Sequence, residues 1–307
     1  MVFERSWLWA VLVAALLAVG CGDLDTDLTP SEEDALAAYV ERGGIPDALP
    51  PAPRKTLDTS GVTTLNHAAW EGILSRYVKD GLVDYDGFWA SPDSREVMEG
   101  YLDLLASIDP AQLATNQERL AFWINAYNAI VFRAAAEKRA EDPAFSPMDN
   151  DFAFFQIRQH LVGGHVLSLD GIEHGIIRGD TAHSAFTTLE AADQQVILDL
   201  SAQVLDAPDA RIHVALNCAA LSCPQLPSRA FRARDLDSLL DERARLFVAD
   251  ASRGAGPDGV SSLFMWFASD FQASHGSSRA FVETYRDDVG GVDFGTFLAY
   301  DWTLNAQ

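Results

Sequence analysis

Apolar positions recur at helical spacing along much of the chain. Over residues 67–79 they fall at Trp70, Ile73, Leu74, Tyr77 and Val78, which predicts a helix with one buried stripe. Residues 81–85 read as a turn and a short extended piece. Residues 95–108 predict a second amphipathic helix, with Met98, Tyr101, Leu102, Leu105 and Ile108 on one face and Pro110 ending it. Residues 115–139 give the strongest pattern. Thr115 with Glu118 three positions on is a capping box. Leu120, Trp123, Ile124, Tyr127 and Val131 form the main apolar face, and Phe122, Ala129 and Phe132 extend it nearly all round. Such a helix is expected inside the fold, which takes two amides, Asn125 and Asn128, into the interior with it. Each needs partners, at about 1–3 kcal/mol if left without them. They either tie neighbouring loops or line a site.

Further along, Phe152–Phe155 and residues 165–169 flank a Gly163-Gly164 turn and read as a hairpin. Residues 170–178 predict a short helix capped by Ser168 or Asp170. Residues 190–205 and 235–248 are again helical. Residues 211–217 alternate, with Ile212, Val214 and Leu216 against His213, Ala215 and Asn217, and predict a strand. Residues 263–267 and 294–302 read as late strands or loop edges. With no repeat and no second linker, the expected architecture is α+β: one helix-rich domain with a small sheet.

Charge narrows the partners. The 307 residues carry 45 acidic against 22 basic side chains, a formal −23. Such a surface repels phosphate backbones, so no nucleic-acid partner is expected. The first 20 residues read as a signal peptide: Arg5 provides a thin positive start, and the apolar run over 7–19 is short for a membrane span. It ends Leu17-Ala18-Val19-Gly20-Cys21, which resembles a bacterial lipobox and implies cleavage before Cys21 and lipidation of that residue. Residues 21–61 then form the lipidated N-terminus and an acidic, proline-rich tether, with a short helix over 33–42, and 62–307 the folded domain. The expected location is the bacterial cell envelope, anchored through Cys21 to the membrane (Gly22 in place of an aspartate favours the outer one), with the folded domain outside the cytoplasm.

Several motifs together resemble one family. They are Ala121-Phe122-Trp123-Ile124-Asn125-Ala126-Tyr127-Asn128-Ala129, the stretch from Ser168 to Arg178 around Glu173-His174, the stretch 211–224 around His213, Cys218 and Cys223, and Tyr300-Asp301-Trp302-Thr303-Leu304-Asn305. The chain resembles the bacterial branch of proteins carrying the domain of unknown function 547 (DUF547), over about 65–305, with the core motifs at about 115–245. The resemblance implies no particular activity.

The chemistry is therefore argued from residues. A cysteine hydrolase of amide or ester bonds would take Cys218 or Cys223 as nucleophile, His213 or His174 as base, and Asn125, Asn128 or Glu173 to orient that base. Along an extended strand His213 and Cys218 would lie roughly 16 Å apart, so the pair meets only if the chain folds back. In an oxidising compartment a Cys218–Cys223 disulfide is a competing outcome, as are two reduced, inert thiols. His160, His165, His174, His183 and His213 match no compact metal motif, and no glycine loop cradles a phosphate, so no metal or cofactor is expected. Asp301 is expected to be buried and paired with Arg178 or a histidine. Two functions stand: an envelope binding or scaffold module for an unknown ligand, which is preferred, and the thiol hydrolase. In either case the motifs around Asn125/Asn128, Glu173-His174 and His213–Cys223 are expected to converge.

Overall fold

The computed structural model describes Ala52 and residues 54–307, so the expected signal, Cys21 and most of the tether lie outside the described residues. In chain order the helices are α1 (Ala68–Tyr77), α2 (Tyr85–Trp89), α3 (Pro92–Ser107), α4 (Asn116–Glu141), α5 (Asp149–Gln156), α6 (Ser184–Thr187), α7 (Ala191–Ser201), α8 (Leu236–Ala249), α9 (Leu263–Trp266), α10 (Ala268–His275) and α11 (Ser278–Tyr285). Three two-stranded antiparallel hairpins are set between them: β1 (Val78–Lys79) with β2 (Leu82–Val83), β3 (His160–Val162) with β4 (His165–Leu167), and β5 (Ala255–Gly256) with β6 (Gly259–Val260). About 53% of the structure is helical, which makes this a helix-rich α+β domain.

Helix α4 organises the core. Residues 120–132 are buried without a break, as expected from an apolar pattern that leaves no solvent face. Thr115 caps its start, with Oγ1 accepting from the Glu118 amide at 3.1 Å. The Glu118 carboxylate turns instead to Thr64 and the Leu65 amide, so only half of the predicted capping box forms. Around α4 pack α2, α3 and the turn over Gly171–Ile177. Phe132 meets Trp70, Tyr85 and Phe88 at ring-centroid distances of 5.5, 5.6 and 5.0 Å. Each such fully buried aromatic contributes about 1.5–3 kcal/mol. A second apolar cluster, centred on Phe247, Phe264, Phe271 and Phe281, joins α8 to α9, α10 and α11. Residues 54–59 run along α3: Arg54 pairs with Glu99 and Asp103, and Thr59 Oγ1 donates to the Ser107 carbonyl at 2.8 Å.

Several expected elements differ. Residues 211–217 are not a strand: Ala210–Val214 is a 3-10 turn, begun by Asp209, whose carboxylate accepts from the Arg211 amide. The alternation is real, but both sets of side chains are buried, and such a run fits a tight buried turn as well as a strand. With a 3-10 turn in place of a strand, the extended spacing of roughly 16 Å between His213 and Cys218 does not apply. Phe152–Phe155 is part of α5, and the hairpin over Gly163-Gly164 is narrower, joining β3 to β4. Residues 263–267 and 294–302 form no strands: the first holds α9, and the second is a loop edge, turned at 294–295 and bridged from Phe297 to Val260. Helices α10 and α11 were not predicted, because they are short and their apolar residues too few to set a period. Asp301 is exposed and accepts from the Thr303 amide, so it is not the buried partner of Arg178.

Candidate functional site

The two cysteines sit on a loop whose shape is fixed from both sides. Asn128, on α4, accepts from the Asn217 amide through Oδ1 at 2.9 Å and donates through Nδ2 to the Ala215 carbonyl at 2.9 Å. Asn217 donates to the Pro224 carbonyl at 2.8 Å and accepts from the Ala219 amide and from Asn305 Nδ2. The closing stretch straps the other side: Asn305 donates its amide to the Ala219 carbonyl at 2.8 Å, and Leu221 donates to Thr303 at 2.8 Å. These ties hold Ala219 at φ 63°, a left-handed conformation that costs a side-chain-bearing residue about 1–3 kcal/mol. Asn125 does the same work elsewhere, bonding the Phe231 amide and carbonyl at 3.0 and 2.7 Å. Both interior amides of α4 are thus loop ties.

The strained turn concentrates donors on one sulfur. Both thiols are free, with their Sγ atoms 2.6 Å apart. Cys223 is buried and Cys218 is half-buried. Burial pushes the Cys218 thiol up, but hydrogen bonds from Cys223, the Tyr300 hydroxyl at 3.2 Å and the Ala220 amide outweigh it and hold the thiol below its ordinary value. The Cys223 thiol is pushed well up, first by burial and then by Cys218. Of the two sulfurs, Cys218 is thus the one that ionises more readily.

A second network brings three histidines together. Arg178, from the Gly171–Ile177 turn's C-terminal end, grips Asp270 with Nε at 2.7 Å and Nη2 at 3.2 Å. Its Nη1 reaches His174 Nδ1 at 2.7 Å and Asp180 at 3.1 Å. Asp270 also takes His213 Nε2 at 2.8 Å. Burial opposes ionisation of Asp270, yet its bonds from His213 and Arg178 hold it well below the carboxylate range. His174 is held down to about 3, by burial first and then by His183 and Arg178, and burial also depresses His183 and His213. All three rings are neutral near pH 7, and their partners assign the tautomers. Arginine and a backbone amide can only donate, so His174 and His183 accept at Nδ1 and carry their proton on Nε2. Asp270 can only accept, so His213 carries its proton on Nε2. That leaves a lone pair on Nδ1, which is buried with no partner among the described residues. The His174 and His183 rings stack at 3.7 Å, and His213 stacks on Phe267 at 4.0 Å.

These parts line one cleft of about 650 Å³, within the range of small-ligand sites. Tyr127, Asp170, Glu173, His174, His183, His213, Cys218, Cys223 and Tyr300 all face it. One wall is aromatic: Trp302 lies 4.6 Å from Tyr300 and 4.8 Å from Phe152, and Trp266, 44% exposed, lies 4.8 Å from Tyr300. Burial, then the neighbouring Glu173, raises the Asp170 carboxyl to about 7. Burial and the Glu173 charge push the Tyr127 hydroxyl well up. Neither sulfur has a histidine among its hydrogen-bond partners; those of Cys218 are Cys223, Tyr300 and Ala220. Among the described residues no group of three or more His, Cys, Asp or Glu is placed to hold a metal ion.

Residues 110–248 match the model of a family described as a protein of unknown function, DUF547. The match supports the DUF547 resemblance. Three of the four motifs fall inside that segment, and the closing one, 300–305, lies beyond it but is bonded to the cysteine loop. No curated protein and no solved structure matches the chain. Besides the DUF547 motifs, the site uses residues that sequence reasoning missed. Asp270 sits on an unpredicted helix, His183 and Trp266 stand in no motif, and Asp170 was read only as a helix cap. The resemblance did point to the stretch containing Tyr300, though not to its bond with Cys218.

Proposed function

We propose that the cleft carries out cysteine-dependent acyl transfer, hydrolysing an amide or ester, in a protein anchored through Cys21 to the bacterial envelope. The observation that carries this reading is Cys218: a thiol with three donors on its sulfur, open to the cleft at a strained turn. Such a thiol ionises more readily than an ordinary one, and His213, held by Asp270, is not among its partners. Cys218 Sγ would attack the carbonyl carbon, and the protons on His174 and His183 Nε2 are the donors available to the oxyanion that forms. Asp170, raised to about 7, holds a proton that the leaving amine or alcohol takes up. The resulting carboxylate then accepts a proton from the water that cleaves the thioester. Burial and then the Glu173 charge favour the protonated form of Asp170, and the Asp270–Arg178 pair holds His213 and His174.

A binding or scaffold role is the second reading. It is favoured by Asn125 and Asn128, whose amide nitrogen and oxygen are both engaged in loop ties, and by His213, which is committed to Asp270. Turnover by the reduced full chain on a panel of thioesters, esters and amides separates the two. The hydrolase reading expects turnover that Cys218→Ser abolishes and Asp170→Asn lowers most for amides. Folded protein that gives no turnover on any of them, or the same turnover as Cys218→Ser, overturns it in favour of binding.

A further inference from the structure

The second thiol has no part in acyl transfer, yet it lies in contact with the first. Cys223 is buried at 3% exposure, its Sγ is 2.6 Å from Cys218 Sγ, and it also accepts from the Cys218 amide at 2.8 Å. A half-buried sulfur at the cleft, in contact with a buried one behind it, is the arrangement that thiol–disulfide exchange requires: one attacks, the other resolves. The loop is built to hold both, since Asn217 ties the backbone at the two ends of the pair, accepting at Ala219 and donating at Pro224. We infer that Cys218 and Cys223 form a dithiol that reduces disulfides entering the cleft. The inference rests on the reading of Cys218 as nucleophile, but not on acyl transfer.

One turnover, from dithiol to Cys218–Cys223 disulfide, closes without a further reagent. The Cys218 thiolate attacks one sulfur of a substrate R–S–S–R′, forming a mixed disulfide with R and releasing R′–S⁻. Cys223 gives its proton to R′–S⁻ and attacks Cys218 Sγ, closing the Cys218–Cys223 disulfide and expelling R–S⁻. Two electrons pass from the cysteine pair to the substrate, and the one proton ends on R′–SH. The aromatic wall of Trp266 and Trp302 and the volume of the cleft admit a disulfide carried on a small molecule or an extended peptide.

Oxidised glutathione tests this with the reduced full chain, read by intact mass and by thiol-specific peptide mapping. Wild-type protein should release two glutathione thiols per chain and lose two hydrogens. Cys223→Ser should stop at one glutathionyl adduct on Cys218, and Cys218→Ser should react at least tenfold more slowly than wild type. Circular dichroism confirms that each variant is folded. If Cys223→Ser does not fold, rapid quenching of the wild-type reaction should still catch the adduct on Cys218 alone. A wild-type chain that ends as a stable glutathionyl adduct, or an adduct found first on Cys223, overturns the inference. So does Cys218 reacting no faster than free glutathione. Loss of acyl transfer with exchange intact would remove the hydrolase reading alone.

Discussion

Replacing Asn128 by alanine separates a structural amide from a catalytic one. The substitution removes two buried hydrogen bonds and leaves the Ala215 carbonyl and the Asn217 amide without partners. Each unpaired group costs about 1–3 kcal/mol, and partial rehydration keeps the sum near the lower half, about 2–4 kcal/mol. Asn217 also precedes Cys218, so the turn that places three donors on that sulfur should relax and its alkylation at neutral pH should slow severalfold. Asn125→Ala is the internal comparison: it frees the Phe231 amide and carbonyl, at a similar cost, away from the cysteine loop. Urea denaturation followed by circular dichroism gives the stabilities, and iodoacetamide labelling of the folded variants gives the thiol rates. Both variants should lose stability, but only Asn128→Ala should lose Cys218 reactivity. A stability change within about 0.5 kcal/mol for Asn128→Ala would refute the loop-tie argument, being the size of an ordinary surface substitution. Full stability with abolished turnover would place Asn128 in the chemistry.

Acid sensitivity should come from neutral buried histidines. His160 and His174 are held down to about 3 and His67 to about 4, in each case by burial first. The stability they contribute is complete above the unfolded value of about 6.5 and is lost as pH falls toward the folded values. Asp170 opposes them: raised when folded, it favours the fold below the ordinary carboxylate range and loses that contribution as pH rises through about 7. With these histidines, joined by His183 and His213, outweighing the raised carboxyls of Asp170 and Glu118, the urea midpoint should fall from pH 6.5 to about 4.5; a flat or rising midpoint contradicts the assignment. Asp270→Asn should cost about 2–4 kcal/mol, since it leaves Arg178, 6% exposed, with Asp180 as its only carboxylate among the described residues; a variant as stable as wild type would show that the pair carries little. Cys21→Ala expressed in a bacterial host should move the protein from the membrane to the soluble fraction, and unchanged membrane recovery would remove the lipid anchor from the account.

The sequence shows α4 most clearly, because a pattern with no solvent face has one physical outcome, burial, and the two amides within it must then find backbone partners. The three motifs do reach one cleft, through Tyr127, Glu173, His174, His213, Cys218 and Cys223, but Asn125 is not part of it and ties Phe231 instead. Residues 211–217 were misread because alternation separates two faces only when one of them meets water, and here both are buried. Asp270 was beyond reach: an acidic residue on a short helix, in a chain with 45 acidic side chains, looks like the rest of the surface. Its pairing depends on where α10 packs, and no local spacing encodes that. The donors on Cys218 include a backbone amide oriented by Ala219, whose left-handed conformation no residue type announces.

The proposed function turns on Cys218 ionising more readily than an ordinary thiol while Cys223 ionises less readily. The pH dependence of iodoacetamide alkylation, resolved by peptide mass spectrometry on the reduced, folded full chain, tests it most directly. The account predicts a Cys218 rate that rises to a plateau with a midpoint below the ordinary thiol value of about 8.5, and Cys223 unlabelled across that range. A Cys218 midpoint at or above the ordinary value, or equal labelling of both cysteines, would contradict it.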